Sequence, residues 1–221
     1  MSSSFFFSSE VLRKSCPLPK SLFSSSSTEI KASKIEPLSA FLKQRKKHLE
    51  HSEIEQLIEM IGRQLYHLEA QENKGVSNFK LDDISVFHAD DAAVYFALTN
   101  DDNIYDIDEE NQMEITTPVS SSSSSSSTGQ ATTKQNPTFY SPEYTDFISK
   151  KTIPYNIHFK SGYYSFGLLC LYCYVTRTPV ANSPTVTDFE TLFEPIINTK
   201  IYWFLKQVLQ EDPTTRRYIC V

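Results

Sequence analysis

Eight consecutive serines, Ser120 to Ser127, continue into Thr128-Gly129-Gln130 and divide a chain of 221 residues into two stretches. Such a run has no apolar surface to bury and is expected to be disordered. It reads as an insertion within one domain, because the stretches on both sides are needed for the fold described below. An aromatic content of 13% favours a packed domain over a wholly disordered chain.

Residues 1–35 are Ser-rich and read as a disordered tail. They loosely resemble an organelle transit peptide, but serines interrupt the three phenylalanines and nothing apolar follows, so no secretory signal is read. Residues 36–50 predict a short helix, with Lys43, Arg45, Lys46 and Lys47 as a solvated basic face. Over 52–70, Ile54, Leu57, Ile58, Ile61, Leu65 and Leu68 follow the 3,4,3 spacing of one buried helical stripe, with Ser52 as the expected cap. Asn73-Lys74-Gly75 ends that helix. Ile84 to Phe87 and Ala92 to Leu98 then predict a hairpin. The acidic stretch 99–115 reads as a solvated loop. It lacks the glycine and the ligand spacing of a calcium loop. Leu168 to Val175 and Ile196 to Leu209 predict two further helices. The second has Ile197, Ile201, Phe204, Leu205 and Val208 on its buried side, and Asp212-Pro213 stops it.

Several function classes fall away. A net charge of -6 argues against non-specific nucleic-acid binding. No apolar run approaches the roughly 20 residues that cross a bilayer. Cys220 stands next to last, where a prenylation box needs its cysteine fourth from the end, so no lipid anchor is read. Cys170 and Cys173 sit in an apolar run and read as buried thiols. No second Cys or His pair offers a zinc site. A reduced intracellular setting, the cytoplasm, is the expectation. The histidines show no H-E-x-x-H spacing, and no G-x-S-x-G, P-loop or dinucleotide fingerprint is present.

Three segments, in order, resemble the C-terminal lobe of the protein kinase family. Phe139-Tyr140-Ser141-Pro142-Glu143 is similar to the Ala-Pro-Glu that closes an activation segment. Gly162-Tyr163-Tyr164-Ser165-Phe166-Gly167 is similar to Asp-x-Trp-Ser-x-Gly, which opens a central buried helix. Leu209-Gln210-Glu211-Asp212-Pro213-Thr214-Thr215-Arg216 is similar to Leu-x-x-Asp-Pro-x-x-Arg. The resemblance implies an ion pair between Glu143 and Arg216. It also sets Val76 to Ile84 in the place of the catalytic loop and Leu98-Thr99-Asn100 in the place of Asp-Phe-Gly.

On that register the phosphoryl-transfer residues are degenerate. Asn78 replaces the Asp that receives the substrate proton, and Leu98 replaces a magnesium-holding Asp. Asp83 replaces a magnesium-holding Asn, Lys80 keeps the loop lysine, and Gly162 replaces the Asp that braces the loop. The five glycines include no two within four residues of each other, so no glycine-rich loop covers a nucleotide. The expected fold is therefore mainly α with a small β hairpin, kinase C-lobe-like and without an N-terminal lobe. It would span 36–221 with a disordered insertion at about 116–136. The expected function is a catalytically inactive binding or scaffold protein with no cofactor. It would have a protein partner, and no nucleic acid, membrane or ATP partner. Two alternatives stay open: an atypical serine/threonine kinase completed by a partner, and an assembly protein with a chance motif match.

Overall fold

The computed structural model describes residues 3–24, 29–45, 48–91, 93–116, 137–176 and 186–218. The serine run, Lys46, Lys47, Cys220 and all but the first residue of the expected insertion lie outside the described residues.

The chain begins with β1 (Ser3–Phe5), α1 (Glu10–Ser15), β2 (Ile30–Ala32), β3 (Lys34–Pro37) and α2 (Leu38–Arg45). The long α3 (His51–Glu72) follows. Next come β4 (Lys74–Val76), β5 (Phe79–Lys80), β6 (Ile84–His88), β7 (Val94–Leu98), β8 (Ile104–Asp106) and β9 (Gln112–Ile115). Beyond the serine region lie β10 (Thr138–Phe139), α4 (Pro142–Lys150), β11 (Tyr155–His158), α5 (Ser161–Leu171), α6 (Val186–Phe193) and α7 (Lys200–Val208).

The expected fold class, mainly α with one hairpin, is corrected by this inventory. About 49% of the described residues are helical and about 22% are strand. The hairpin β6–β7 gains β3 as a third antiparallel strand, and four two-stranded sheets pair β1 with β2, β4 with β8, β5 with β10, and β9 with β11. Non-local pairing explains the difference. β3 meets β6 across α2 and α3, and β11 meets β9 across the serine region, so neither partner is visible in local periodicity. Two of these strands, β8 and β9, occupy the acidic stretch that reads as a loop.

The stretch 1–35 also differs from the expected tail. Leu12 and Ile30 have no exposed surface, and Phe5 meets Phe87 edge-on at 5.4 Å. Its few apolar residues are spaced too irregularly for a periodic signal, yet Leu12 joins the main core, and Leu18, Leu22 and Ile30 cluster with Met60 of α3 and with Phe87 and Ala97 of the sheet.

The core forms around α3 and α5. The six residues of the α3 stripe are each at most 3% exposed, and burying each contributes about 1.5–3 kcal/mol. Glu50, and not Ser52, caps the helix, with Glu53 returning the bond to the Glu50 N–H. At the far end Asn73 adopts the left-handed conformation at φ 51°. All eleven residues of α5 are buried, which marks a central helix surrounded by protein on every side. α7 begins only at Lys200, and Ile197, placed on the buried stripe by its spacing, is 51% exposed.

One acid lies in the α3–α5 interface. The Tyr163 hydroxyl donates to Glu69 Oε2 at 2.6 Å. Burial pushes the Glu69 carboxyl up from its ordinary 4.5 to about 7, against the opposing effects of that hydrogen bond and of the Lys160 charge. The unfolded chain releases this proton near the ordinary value, and the folded chain holds it to about 7. Between those limits the folded state binds more protons, so its stability falls as pH rises. The wild type should lose on the order of 2–3 kcal/mol between about pH 5 and pH 8 through this group. Glu69→Gln keeps an acceptor for Tyr163 and should remove that component. Denaturant melts of both proteins at the two pH values check it, and parallel pH profiles would refute it.

Candidate functional site

The stretch from Val76 to Asp83 is held from three sides. β5 pairs with β10, setting Phe79 opposite Phe139. Behind this pair stands Ser165 of α5. Its hydroxyl donates to the Phe139 carbonyl and accepts from the Phe79 N–H at 2.6 Å. Ser161, one turn earlier on α5, donates to the Ser77 carbonyl at 3.0 Å and lies 2.5 Å from the Ser141 hydroxyl. Ser141 caps α4 by accepting from the Tyr144 N–H at 3.2 Å. Gly162 packs its Cα against the Val76 carbonyl, and an added Cβ would collide with that oxygen. No side chain fits there. Ser161 and Ser165 therefore hold the stretch at the helix opening, where the kinase pattern has one Asp.

Within this frame Asp83 ends a short turn, Leu81–Asp83, and is 2% exposed. Its Oδ2 accepts from the Lys80 N–H at 2.7 Å and the Asn103 amide at 3.4 Å, and its Oδ1 accepts from the Asn100 amide at 2.9 Å. Burial pushes the Asp83 carboxyl up, against these donors and the Lys80 charge. Asn78, also 2% exposed, donates to Asn103 Oδ1 at 3.3 Å and to Ser77 Oγ at 3.1 Å.

Leu98 lies elsewhere. It pairs with Ile84 in the β6–β7 ladder, is 1% exposed, and exchanges hydrogen bonds with the Gln64 carboxamide. The Thr99 N–H donates to the Asp83 carbonyl at 2.9 Å, and this contact carries the chain on to Asn100 beside the Asp83 carboxylate. Asn78, Asp83, Asn100 and Asn103 thus form one cluster, with Leu98 in the core behind it. Sequence register placed Leu98 at the ligand position and missed Asn100 and Asn103. The only available signal was their position just past the strand end. Asp102 reaches the cluster through Asn100, whose amide also lies 3.2 Å from Asp102 Oδ2.

The Asn100 and Asn103 amide orientations are fixed at both ends. Asn100 Oδ1 accepts from the Asp102 N–H at 3.2 Å, and Asn103 Oδ1 accepts from Asn78. Their N–H groups therefore face the Asp83 carboxylate, presenting positive dipole ends where a divalent cation would need oxygen lone pairs. The donor set does not suit a magnesium ion. Among the described residues no group of three His, Cys, Asp or Glu gathers to hold a metal.

Glu143 and Arg216 come together, with Nη2 and Oε1 2.6 Å apart. Arg216 has no exposed surface. It also donates to the carbonyls of Gln210 (2.7 Å), Glu211 (2.8 Å) and Lys160 (3.3 Å), and its guanidinium lies 4.9 Å from the Tyr164 ring centre. The carboxylate meets it at close range without hydrogen-bond alignment, since neither Glu143 oxygen has an aligned donor. The pair is held by charge, and the carbonyls supply the directional bonds.

No family model and no curated protein matches the chain. Solved structures do. Two double-mutant forms of the Mycobacterium tuberculosis PknI kinase domain superpose with a TM-score of 0.50 at 11% sequence identity, each over 87% of this chain. The fold is protein-kinase-like. The chain spans 60% and 62% of those two domains. The match covers 87% of this chain and gives no ground for a fold confined to one lobe. Among the described residues no helix is long and apolar enough to cross a membrane.

Proposed function

We propose that this kinase-like chain acts by binding a protein partner and does not transfer phosphoryl groups. The observation that carries the reading is the amide cluster. Where the kinase pattern has a proton-accepting carboxylate stands Asn78, which has no basic site. The one carboxylate of the cluster, Asp83, accepts from a backbone N–H and two carboxamides. Phosphoryl transfer depends on positioned charge neutralisation. The cluster offers in its place a network of amide donors around Asp83, with the buried Asn78 Oδ1 left without a hydrogen-bond partner among the described residues. The same network, with the two serine braces, fixes the shape of the loop, on which Lys80 and Asp82 are the exposed residues.

Thermal unfolding with ATP and magnesium tests this. A ligand at about 1 mM with a dissociation constant of about 10 μM would raise stability by about 2.7 kcal/mol by mass action. The expected result is no magnesium-dependent rise in Tm and no transfer of labelled phosphate to the chain or to a generic acceptor protein. A magnesium-dependent rise would favour the alternative of an atypical kinase.

A further inference from the structure

A groove on the other side of α3 is independent of the amide cluster. It encloses about 490 Å³ between α3, the start of α5 and the segment after Arg216, inside the roughly 300–1,000 Å³ of small-molecule sites. Its chemistry is one-sided. The lining includes Arg63, Lys160 and Arg217 together with the buried Arg216, and contains no Asp or Glu, although the chain as a whole carries a net charge of -6. Arg216 is engaged with Glu143 and three carbonyls, which leaves the other three to act on a ligand. Arg217 is exposed and makes no ion pair among the described residues. Lys160 donates to the Thr214 carbonyl at 3.3 Å and lies 5.9 Å from the Phe159 ring centre, with no hydrogen-bonded carboxylate among the described residues. Arg63 pairs with Glu59 on the exposed face of the helix, an interaction of small net worth that a ligand can displace.

The walls are aromatic. Tyr163 and Tyr218 direct their hydroxyls inward, to Glu69 and to the Ile58 carbonyl, each at 2.6 Å. Their hydrogen-bonding capacity is used inside the protein, and the rings are what they present to the groove. Tyr66, on the adjacent turn of α3, is 71% exposed. Tyr163 and Tyr218 pack edge-on at 5.6 Å, so an apolar body laid against the rings, with a charged end met by guanidinium and ammonium groups, is the ligand such a surface selects.

We infer that this groove binds a small anion with an aromatic, ring-bearing body, a carboxylate, sulfonate or phosphate. The probe is 8-anilinonaphthalene-1-sulfonate, an aromatic sulfonate whose fluorescence rises in apolar surroundings, titrated into the full chain. Its uncharged relative N-phenyl-1-naphthylamine serves as the comparison. The expected result is one saturable phase for the sulfonate, with the neutral compound weaker by about tenfold or more. Arg217→Glu should weaken the sulfonate by about tenfold while leaving the neutral compound and the Tm unchanged. Tyr66→Ser, also at an exposed position, should weaken both. Non-saturable binding, equal affinity for the two compounds, or indifference to Arg217→Glu would each overturn the assignment. The first and third are also what loosely packed protein would give, and that outcome counts against the site. Failure here leaves the amide-cluster reading intact, since none of its residues lines the groove.

Discussion

Arg216→Ala should destabilise the fold by about 3–5 kcal/mol, the range for removing one partner of a buried charge pair. The substitution strips four acceptors at once. The Glu143 carboxylate loses its counter-charge, and the carbonyls of Gln210, Glu211 and Lys160 lose their donors. The adjacent Arg217 is exposed and contacts none of these groups through its side chain, and the Tyr164 ring loses the cation stacked on it. Glu143→Ala should cost less, because Arg216 keeps its three carbonyl partners and the Glu143 side chain is 19% exposed, so solvent partly screens the pair. Urea denaturation of both variants measures the asymmetry. A loss below about 1 kcal/mol for Arg216→Ala would show that the buried guanidinium is held by packing alone.

This ordering also shows what could be read from sequence. The Glu143 and Arg216 pair could be named before any coordinates, because the kinase resemblance links two motifs 73 positions apart that no local pattern connects. The α3 stripe was legible for a different reason: a single helix buries one face, and its spacing is written every three or four residues. The strands of the first 37 residues and of the acidic stretch gave no such signal. They are three or four residues long, their partners are remote, and short pairs of this kind are stabilised by what they pack against. The amide cluster was half legible. Asn78 and Asp83 came from the register of the loop. Asn100 and Asn103 required the path of the chain past β7, which the Thr99 to Asp83 backbone bond sets. Ser165 stood in the helix-opening motif with no role attached to it, and Ser161 was hidden by composition, since in a chain so rich in serine one more attracts no notice.

Ser165→Ala should also be strongly damaging, at about 2–6 kcal/mol, because it leaves two buried backbone groups without partners at about 1–3 kcal/mol each. One is the Phe79 N–H in the loop and the other is the Phe139 carbonyl in the strand that leads to Glu143. The methyl group of alanine fits the space, so the loss is one of hydrogen bonding and creates only a hydroxyl-sized void. Ser165→Cys retains a weak donor and acceptor of similar shape and should recover part of the loss, whereas Ser165→Val should not. The consequence reaches beyond stability. Ser165 ties α5, the loop and the strand before α4 to one atom, so its removal should loosen β5 from β10 while α3 and α7 stay folded. Amide hydrogen exchange would register faster exchange at Phe79 and at its neighbours in the loop, with the α3 core unchanged. Uniform loss of protection across the molecule would instead assign Ser165 to the global core and remove its role as the local brace of the loop.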